Sequence, residues 1–320
     1  MEKLHEGALI DNGGKRTNRF TLNKKKKRTK ETVFALVIAL IPLLGYFFFH
    51  GFPLIVSIGM LFTEVDGYDL GTMRWNDFAN FTTVFSDVRF YKSIGITIWL
   101  ASAQLVSLAI ALVVSVLLTK ITKGRKFLQV LYFIPYITSG VATAIIWNWV
   151  FDGYHGLLNS LLGTDIHWLG NLEDPSTLTW AIYVAIVWQS PGYGIVMFKA
   201  ALDAVNPSLY EAAKLDGANE FKQFWYITIP SIAPTTLYLV FSGIMAGIGT
   251  FGHALLMAPV NWAQQAGFQD QGLTMMYYAY ILGTQQANMH LASVVSWAMF
   301  VMSMPFALIV MKRQMKKSKE

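Results

Sequence analysis

The sequence predicts an all-α integral membrane protein with six transmembrane helices, on three observations. First, the 320 residues are 54% hydrophobic and only 14% charged, with a mean hydropathy of +0.43, whereas an average soluble domain is about a quarter charged. Second, six apolar runs are long enough to cross a bilayer, which takes about 20 helical residues. Third, basic residues crowd the segments on one side of those runs. Long unbroken apolar runs exclude the alternating strands of a barrel, and too little charge remains to cover a soluble enzyme of this length. With no Cys in the chain, disulfide frameworks, thiolate zinc sites, iron–sulfur clusters and Cys nucleophiles are also excluded.

The predicted spans are residues 33–62, 94–118, 127–151, 178–198, 232–256 and 291–311. Pro42 and Pro53, with Gly45, Gly51 and Gly59, predict kinks in the first span or a helix longer than the bilayer is thick. Before it lie 32 polar residues with the basic run TLNKKKKRTK (21–30). That run is too long for a secretory n-region and has no cleavage pattern after it, so the first helix is expected to stay uncleaved. Disorder is expected up to about Asn23. If the N-terminus is cytoplasmic, 22 of the 25 Lys and Arg fall inside and only Arg74, Arg89 and Lys92 fall outside. The acids divide 9 inside and 10 outside, so the asymmetry belongs to the basic residues, as the positive-inside rule requires. Both termini are therefore expected in the cytoplasm. The net charge of +6 becomes a feature of topology and of the lipid surface rather than a nucleic-acid footprint. The expected parts are a basic N-terminal segment (1–32), a membrane domain (33–311) and a basic tail (312–320).

Within those span limits stands no Asp, Glu, Lys or Arg; His50 and His253 lie toward the predicted outer ends. A proton-coupled transporter needs a buried carboxylate and a voltage sensor needs an Arg string. Neither is present, nor is a zinc-protease helix motif or a phosphate-binding loop. The chain is therefore expected to catalyse nothing and to bind no cofactor. If it pumps a solute, the nucleotide site is on another chain, which needs a surface to grip. Asn80-Phe81-Thr82 fits the glycosylation pattern, a match frequent by chance.

Such a surface is predicted between the fourth and fifth spans. Asn206 is a good N-cap and Pro207 suits the first helical position. Leu209, Ala212, Ala213 and Leu215 then build a short helix, which Gly217 ends because Gly tolerates the left-handed conformation. Asn219 caps a second short helix, 220–227, running to Pro230. The result is an L-shaped helix pair. Its Ala212 and Ala213 admit a partner's backbone, and Glu211 offers a carboxylate to a partner's cation or to Lys214.

YEAAKLDGA (210–218), followed by IPSIAP (229–234), closely resembles the EAA loop of binding-protein-dependent ABC importer permeases. The similarity is to the sugar-permease subfamily that includes maltose- and glycerol-phosphate-type permeases. RKFLQVLYFIPY (125–136), AIIW (144–147), FDGYHGLLN (151–159), WLG (168–170), Trp188, NPSLYE (206–211) and MKRQMKK (311–317) are similar in kind and order, so the resemblance covers roughly residues 33–315. It implies the type I importer permease fold, with an EAA coupling loop at 203–231 in the inner membrane of a prokaryote. The implied partners are a second homologous permease forming a heterodimer, two ATPase subunits that hold ATP and Mg, an extracellular substrate-binding protein, and the surrounding lipid. Glu211, Ala212, Ala213 and Gly217 match the loop's defining positions. Asp216, Phe224, Pro230 and Pro234 match its flanks. The implied cargo is a sugar or oligosaccharide. A polyol phosphate is the alternative within the same architecture, and a secondary transporter or channel is the alternative outside it.

Sugars present apolar ring faces and hydroxyls, so their sites pair aromatics with neutral hydrogen-bonding groups. Nine of the ten Trp fall in predicted outer halves or outer loops, Trp225 being the exception. Most read as an aromatic belt with a docking face. Trp188 and Gln189 lie deeper and are pathway candidates. Gly249, Phe251 and His253 at the end of the fifth span are the others. At Gly252-His253 the chain departs from the family's Phe-Asp-x-Ile-Tyr pattern; Gly243, Gly247, Gly249 and Gly252 permit close packing or an unwound turn, and packing rather than binding is their expected role. The predicted outer loop 259–272, with Asn261, Trp262, Gln264 and Gln265, departs from the family's short Gly-Gly-Pro turn. It is expected to be specialised for this transporter's own binding protein.

Overall fold

The computed structural model describes residues 8–10, 16–258 and 266–317. Asn261, Trp262, Gln264 and Gln265 lie outside the described residues. The chain forms two compact units, 1–59 and 60–320.

In the first unit, β1 (Ala8–Ile10) pairs antiparallel with β2 (Arg16–Asn18), and α1 (Arg19–Tyr46) follows directly. The expectation of disorder up to about Asn23 is corrected for the described residues, since the helix already begins at Arg19. Lys and Arg are good helix formers, and a basic run joined to an apolar helix extends a nucleus that already exists. A π-helical turn, Phe47–Gly51, leads into α2 (Phe52–Met60). There the Phe52 N–H reaches back five residues to the Phe47 carbonyl. Pro53, the next residue, has no N–H and crowds the carbonyl four residues before it, and the widened turn accommodates both defects.

The second unit opens on β3 (Thr63–Glu64) paired with β4 (Arg74–Trp75), then α3 (Ala79–Ser86). Asn80 is only 3% exposed. Its Nδ2 donates to the carbonyls of Met60 (3.0 Å), Leu61 (3.2 Å) and Thr63 (2.9 Å). The glycosylation match at Asn80 is therefore overturned: its amide is committed to backbone.

α4 (Val88–Lys120) is 33 residues, about 50 Å at 1.5 Å per residue, so it exceeds the roughly 30 Å hydrocarbon thickness. Asp87 caps its start by accepting from the Arg89 N–H at 2.8 Å. One face carries small buried residues, Ser93, Thr97, Ala103, Ser107, Ala111 and Ser115, which let neighbouring helices approach closely. α5 (Arg125–Ile137) and α6 (Gly140–Val150) follow, bent by 94° across Thr138 and Ser139. The predicted single span 127–151 is thus corrected to a broken pair. Ser139 caps α6, accepting from the Ala142 N–H at 3.2 Å, and a hydroxyl that caps one helix also marks the end of the last. The loop after α6 holds α7 (Leu157–Leu162).

α8 (Thr177–Gln189) and α9 (Pro191–Asp203) run on as one apolar stretch, and α10 (Pro207–Leu215) and α11 (Glu220–Gln223) form the expected cap-and-turn loop. α11 does not stop at 227. A second π turn, Phe224–Thr228, carries it into α12 (Ile229–Ile248), giving a continuous stretch Glu220–Ile248. This turn again ends two residues before a proline, Pro230, and Ile229 N–H bonds to the Phe224 carbonyl. α13 (Gly252–Met257) is a separate short helix, so the predicted span 232–256 breaks at 249–251. α14 (Met275–Tyr280), a third π turn (Ile281–Gln285) and α15 (Met289–Lys317) close the chain. Five stretches are long and apolar enough to cross a membrane, or six if the bent pair is one span.

Two buried clusters hold this unit together. One lies among Leu100, Ile182, Ile186, Met257 and Tyr278; the other gathers Ala111, Leu118, Ile195, Phe198 and Ile232. The close approaches are glycine-dependent. A Cβ on Gly247 would lie 2.6 Å from Ala101 Cα, and one on Gly194 would lie 2.8 Å from Ala111 Cβ. Packing is therefore the role of Gly247. At the Asp87 end of α4, Arg89 makes a two-pronged ion pair with Asp270 (2.8 and 3.0 Å) and lies 5.6 Å from the Tyr278 ring. Burial, and donation to Asp87, hold the Tyr278 phenol well above its ordinary pKa.

Candidate functional site

Two places in the second unit gather the residues that the sequence singles out. The first is the loop at 203–231. Asn206 Oδ1 accepts from the Ser208 N–H at 3.1 Å, and α10 starts on Pro207 as expected. Gly217 has φ +75° and nothing within 4 Å of a Cβ placed on it. It ends α10 through backbone geometry, not through lack of space. The closing bond runs from the Ala218 N–H to the Ala213 carbonyl at 2.9 Å. Asn219 Oδ1 accepts from the Lys222 N–H at 2.9 Å and starts α11.

The angle of the L is set by side chains that sequence reasoning missed. Gln223 Nε2 donates to the Ala218 carbonyl at 2.8 Å, and the Tyr210 and Thr228 hydroxyls lie 3.0 Å apart. No sequence signal pairs residues 18 apart. Glu211, Ala212, Asp216, Gly217 and Pro230 are exposed, and Ala213 and Phe224 are half-buried. Glu211 makes no ion pair with Lys214 or with any other described residue. Leu215 is 90% exposed, Tyr226 81% and Phe221 71%, large apolar side chains that water does not favour. Behind the loop lies a cleft of about 760 Å³, lined by Lys120, Asp203, Tyr210, Lys214, Glu220 and Phe224 among others. Lys120 bridges it to Glu220 at 2.6 Å.

The second place is a cavity of about 490 Å³ where both broken helices meet. From the α5–α6 break come Tyr136 and Gly140; from the α12–α13 break come Gly249, Thr250, Phe251, Gly252 and His253. Gln104, Gln189 and Ser190 complete its polar wall, with Ile186 and Ala246. None of these is an Asp, Glu, Lys or Arg. Broken backbone at membrane depth is tolerated where it lines a cavity. Here Gln189 Nε2 meets the freed Thr138 carbonyl and the Thr143 hydroxyl, both at 3.0 Å. His253 Nε2 is buried with no hydrogen-bond partner among the described residues. A second cavity of about 410 Å³ shares Gln104, Tyr136, Ser190 and Ala246 and continues along α9 through Tyr193 and Gly194.

Four of the five pathway candidates, Gln189, Gly249, Phe251 and His253, thus line one wall. The fifth is not among them: Trp188 sets its ring edge-on to Trp147 at 5.8 Å and does not line the cavity. Adjacent helix residues project about 100° apart, which separates it from Gln189. Gln104 and Tyr136 were missed, although Gln104 is the sole amide side chain in the apolar run 94–118.

The family model described as binding-protein-dependent transport system inner membrane component matches residues 111–312. The sn-glycerol-3-phosphate transport system permease protein UgpA of Agrobacterium fabrum is 31% identical over 54% of this chain and 60% of its own. The probable starch degradation products transport system permease protein AmyD of Thermoanaerobacterium thermosulfurigenes is 29% identical over 66% and 73%. The crystal structure of a bacterial alginate ABC transporter in complex with alginate pentasaccharide-bound periplasmic protein aligns at TM-score 0.75 with 21% identity, covering 91% of this chain and 98% of that one. A multi-pass helical membrane protein with this match over most of its length belongs to the binding-protein-dependent transport system inner membrane components, the permease family of ABC transporters.

Proposed function

We propose that the chain forms one half of the path through an ATP-driven importer of a neutral sugar or oligosaccharide. The observation that carries this reading is the cavity at the two helix breaks, whose polar wall of Gln104, Tyr136, Gln189, Ser190, Thr250 and His253 holds hydrogen-bonding groups and no formal charge. Phe251, packed on Tyr280 at 5.2 Å, adds an aromatic wall for a sugar ring. Names among its relatives support carbohydrate cargo in part, since AmyD is named for starch degradation products. UgpA is named for glycerol-3-phosphate, but an anionic cargo favours a cationic wall, and none lines this one.

In this reading the chain crosses six times, the broken pair being the third span, with both termini in the cytoplasm. It works with a second permease, two ATPase subunits holding ATP and Mg, and an extracellular binding protein. Glu211, Ala212, Ala213, Asp216, Gly217, Phe224 and Pro230 form the surface on which an ATPase acts. The chain itself hydrolyses nothing. Displacement of α10 changes which side of the membrane the cavity faces. This is a two-state element biased by nucleotide on another chain.

One isolation tests both halves. The complex is purified from its native membrane and every chain identified. The expected result is two copies of an ATPase and a second permease. Recovery without an ATPase overturns the importer. The binding protein of the system is then heated with a panel of neutral oligosaccharides and with glycerol-3-phosphate. Stabilisation by the phosphate alone overturns the cargo.

A further inference from the structure

Lys199 is the most deeply buried basic side chain among the described residues, 3% exposed, with Phe198 and Ile195 beside it on α9 at 1% each. The limits read from sequence place it just outside the fourth span; the structure puts it inside the stretch Thr177–Asp203. Its ammonium reaches one group, the Asp203 carboxylate one turn on, whose side chain is 54% exposed at the cleft behind the loop. Two local rules are broken at once. A buried ammonium is costly, and an apolar residue of similar size is often as stable or more so. An acid in the last turn of a helix opposes the helix dipole. Local rules are broken together mostly where function requires it.

The position explains the cost. Asp203 is the last residue of α9, three before Asn206, the cap of α10. The other end of the same 13-residue helix lines the path through Pro191, Tyr193 and Gly194. We infer that Lys199 and Asp203 are positioning residues for coupling. Their ion pair fixes the root of α10 to the body of α9, so that displacement of the loop is passed to the cavity wall and is not absorbed in the connection at 204–206. The inference rests on the reading of 203–231 as the ATPase-facing loop.

The chain has no Cys, so a single Ser242→Cys on the cavity wall can be followed with a maleimide and located by mass. In the assembled complex in lipid nanodiscs, labelling is compared without nucleotide and after trapping with Mg-ATP and vanadate. At least a tenfold change in rate is expected with the pair intact. Lys199→Met is expected to assemble normally, keep Mg-ATP hydrolysis within about twofold, and reduce the labelling change to less than threefold. Exchanging the two, Lys199→Asp with Asp203→Lys, is expected to restore it. A tenfold change retained in Lys199→Met overturns the inference. If Lys199→Met fails to assemble, the exchanged chain decides alone: a full response supports the pair, and an assembled but unresponsive complex overturns it. Gly217→Val separates the two layers. If it too leaves the response whole, the loop reading itself fails; if it alone abolishes the response, only the pair falls.

Discussion

Gly217 shows how one residue can be read correctly from sequence alone. Left-handed backbone at a helix end favours Gly for local reasons, and the observed φ of +75° is local too. Gly217→Val forces a β-branched residue into that region at a cost of about 1–2 kcal/mol. It is expected to leave the complex assembled while cutting transport-linked ATP hydrolysis at least tenfold. Retention of linked hydrolysis in the purified complex counts against the loop's role. Asn80 is the opposite case, a sequence pattern cancelled by burial. Asn80→Ala removes the amide donor to the carbonyls of Met60, Leu61 and Thr63. A loss of about 1–3 kcal/mol is expected, seen as a lower melting temperature. Expression in a glycosylating host is expected to add no sugar at this position.

At the scale of elements, hydropathy located the apolar stretches but not the corner at 138–139. The sum over a window does not record that Ser139 caps a new helix or that Thr138 leaves a carbonyl for Gln189. Gln189→Leu removes the donor to Thr138 and Thr143 and is expected to loosen the α5–α6 corner. Thermal stability of the complex falls, and transport falls at least tenfold. A transport rate matching the parent removes Gln189 from the path. Pro53 predicted a kink in the first span but not its form, and the π turns ahead of Pro53 and Pro230 were not legible as such, because a proline signals trouble in a helix without saying whether it ends or widens. Gly247 was legible only as a packing residue of unknown partner. The partner is Ala101 on α4, and Gly247→Leu drives side-chain carbon into backbone, an overpacking cost of about 1–3 kcal/mol. Reduced yield of folded complex is the expected outcome, with Gly243→Ala, whose nearest neighbour is 3.7 Å away, as the tolerated comparison.

At the scale of the whole molecule, the distribution of 22 and 3 basic residues predicts an orientation that can be checked simply. Single Cys at exposed positions Lys126 and Glu173 should behave oppositely toward a membrane-impermeant maleimide added outside intact cells. Glu173→Cys is expected to label and Lys126→Cys to stay silent; the reverse pattern inverts the topology. The sequence by itself determined the solvent, the presence of several spanning apolar stretches and the capped loop at 203–231. Each depends on composition, short-range periodicity or one backbone angle, all local properties of the chain. Only the tertiary structure decided that Gln104, Tyr136, Gln189 and His253 share a wall, that Trp188 does not, and that Lys199 is buried against Asp203 at the root of the loop. Which way a side chain faces depends on where helices break and which small residues let them meet, and those are contacts between residues far apart in sequence.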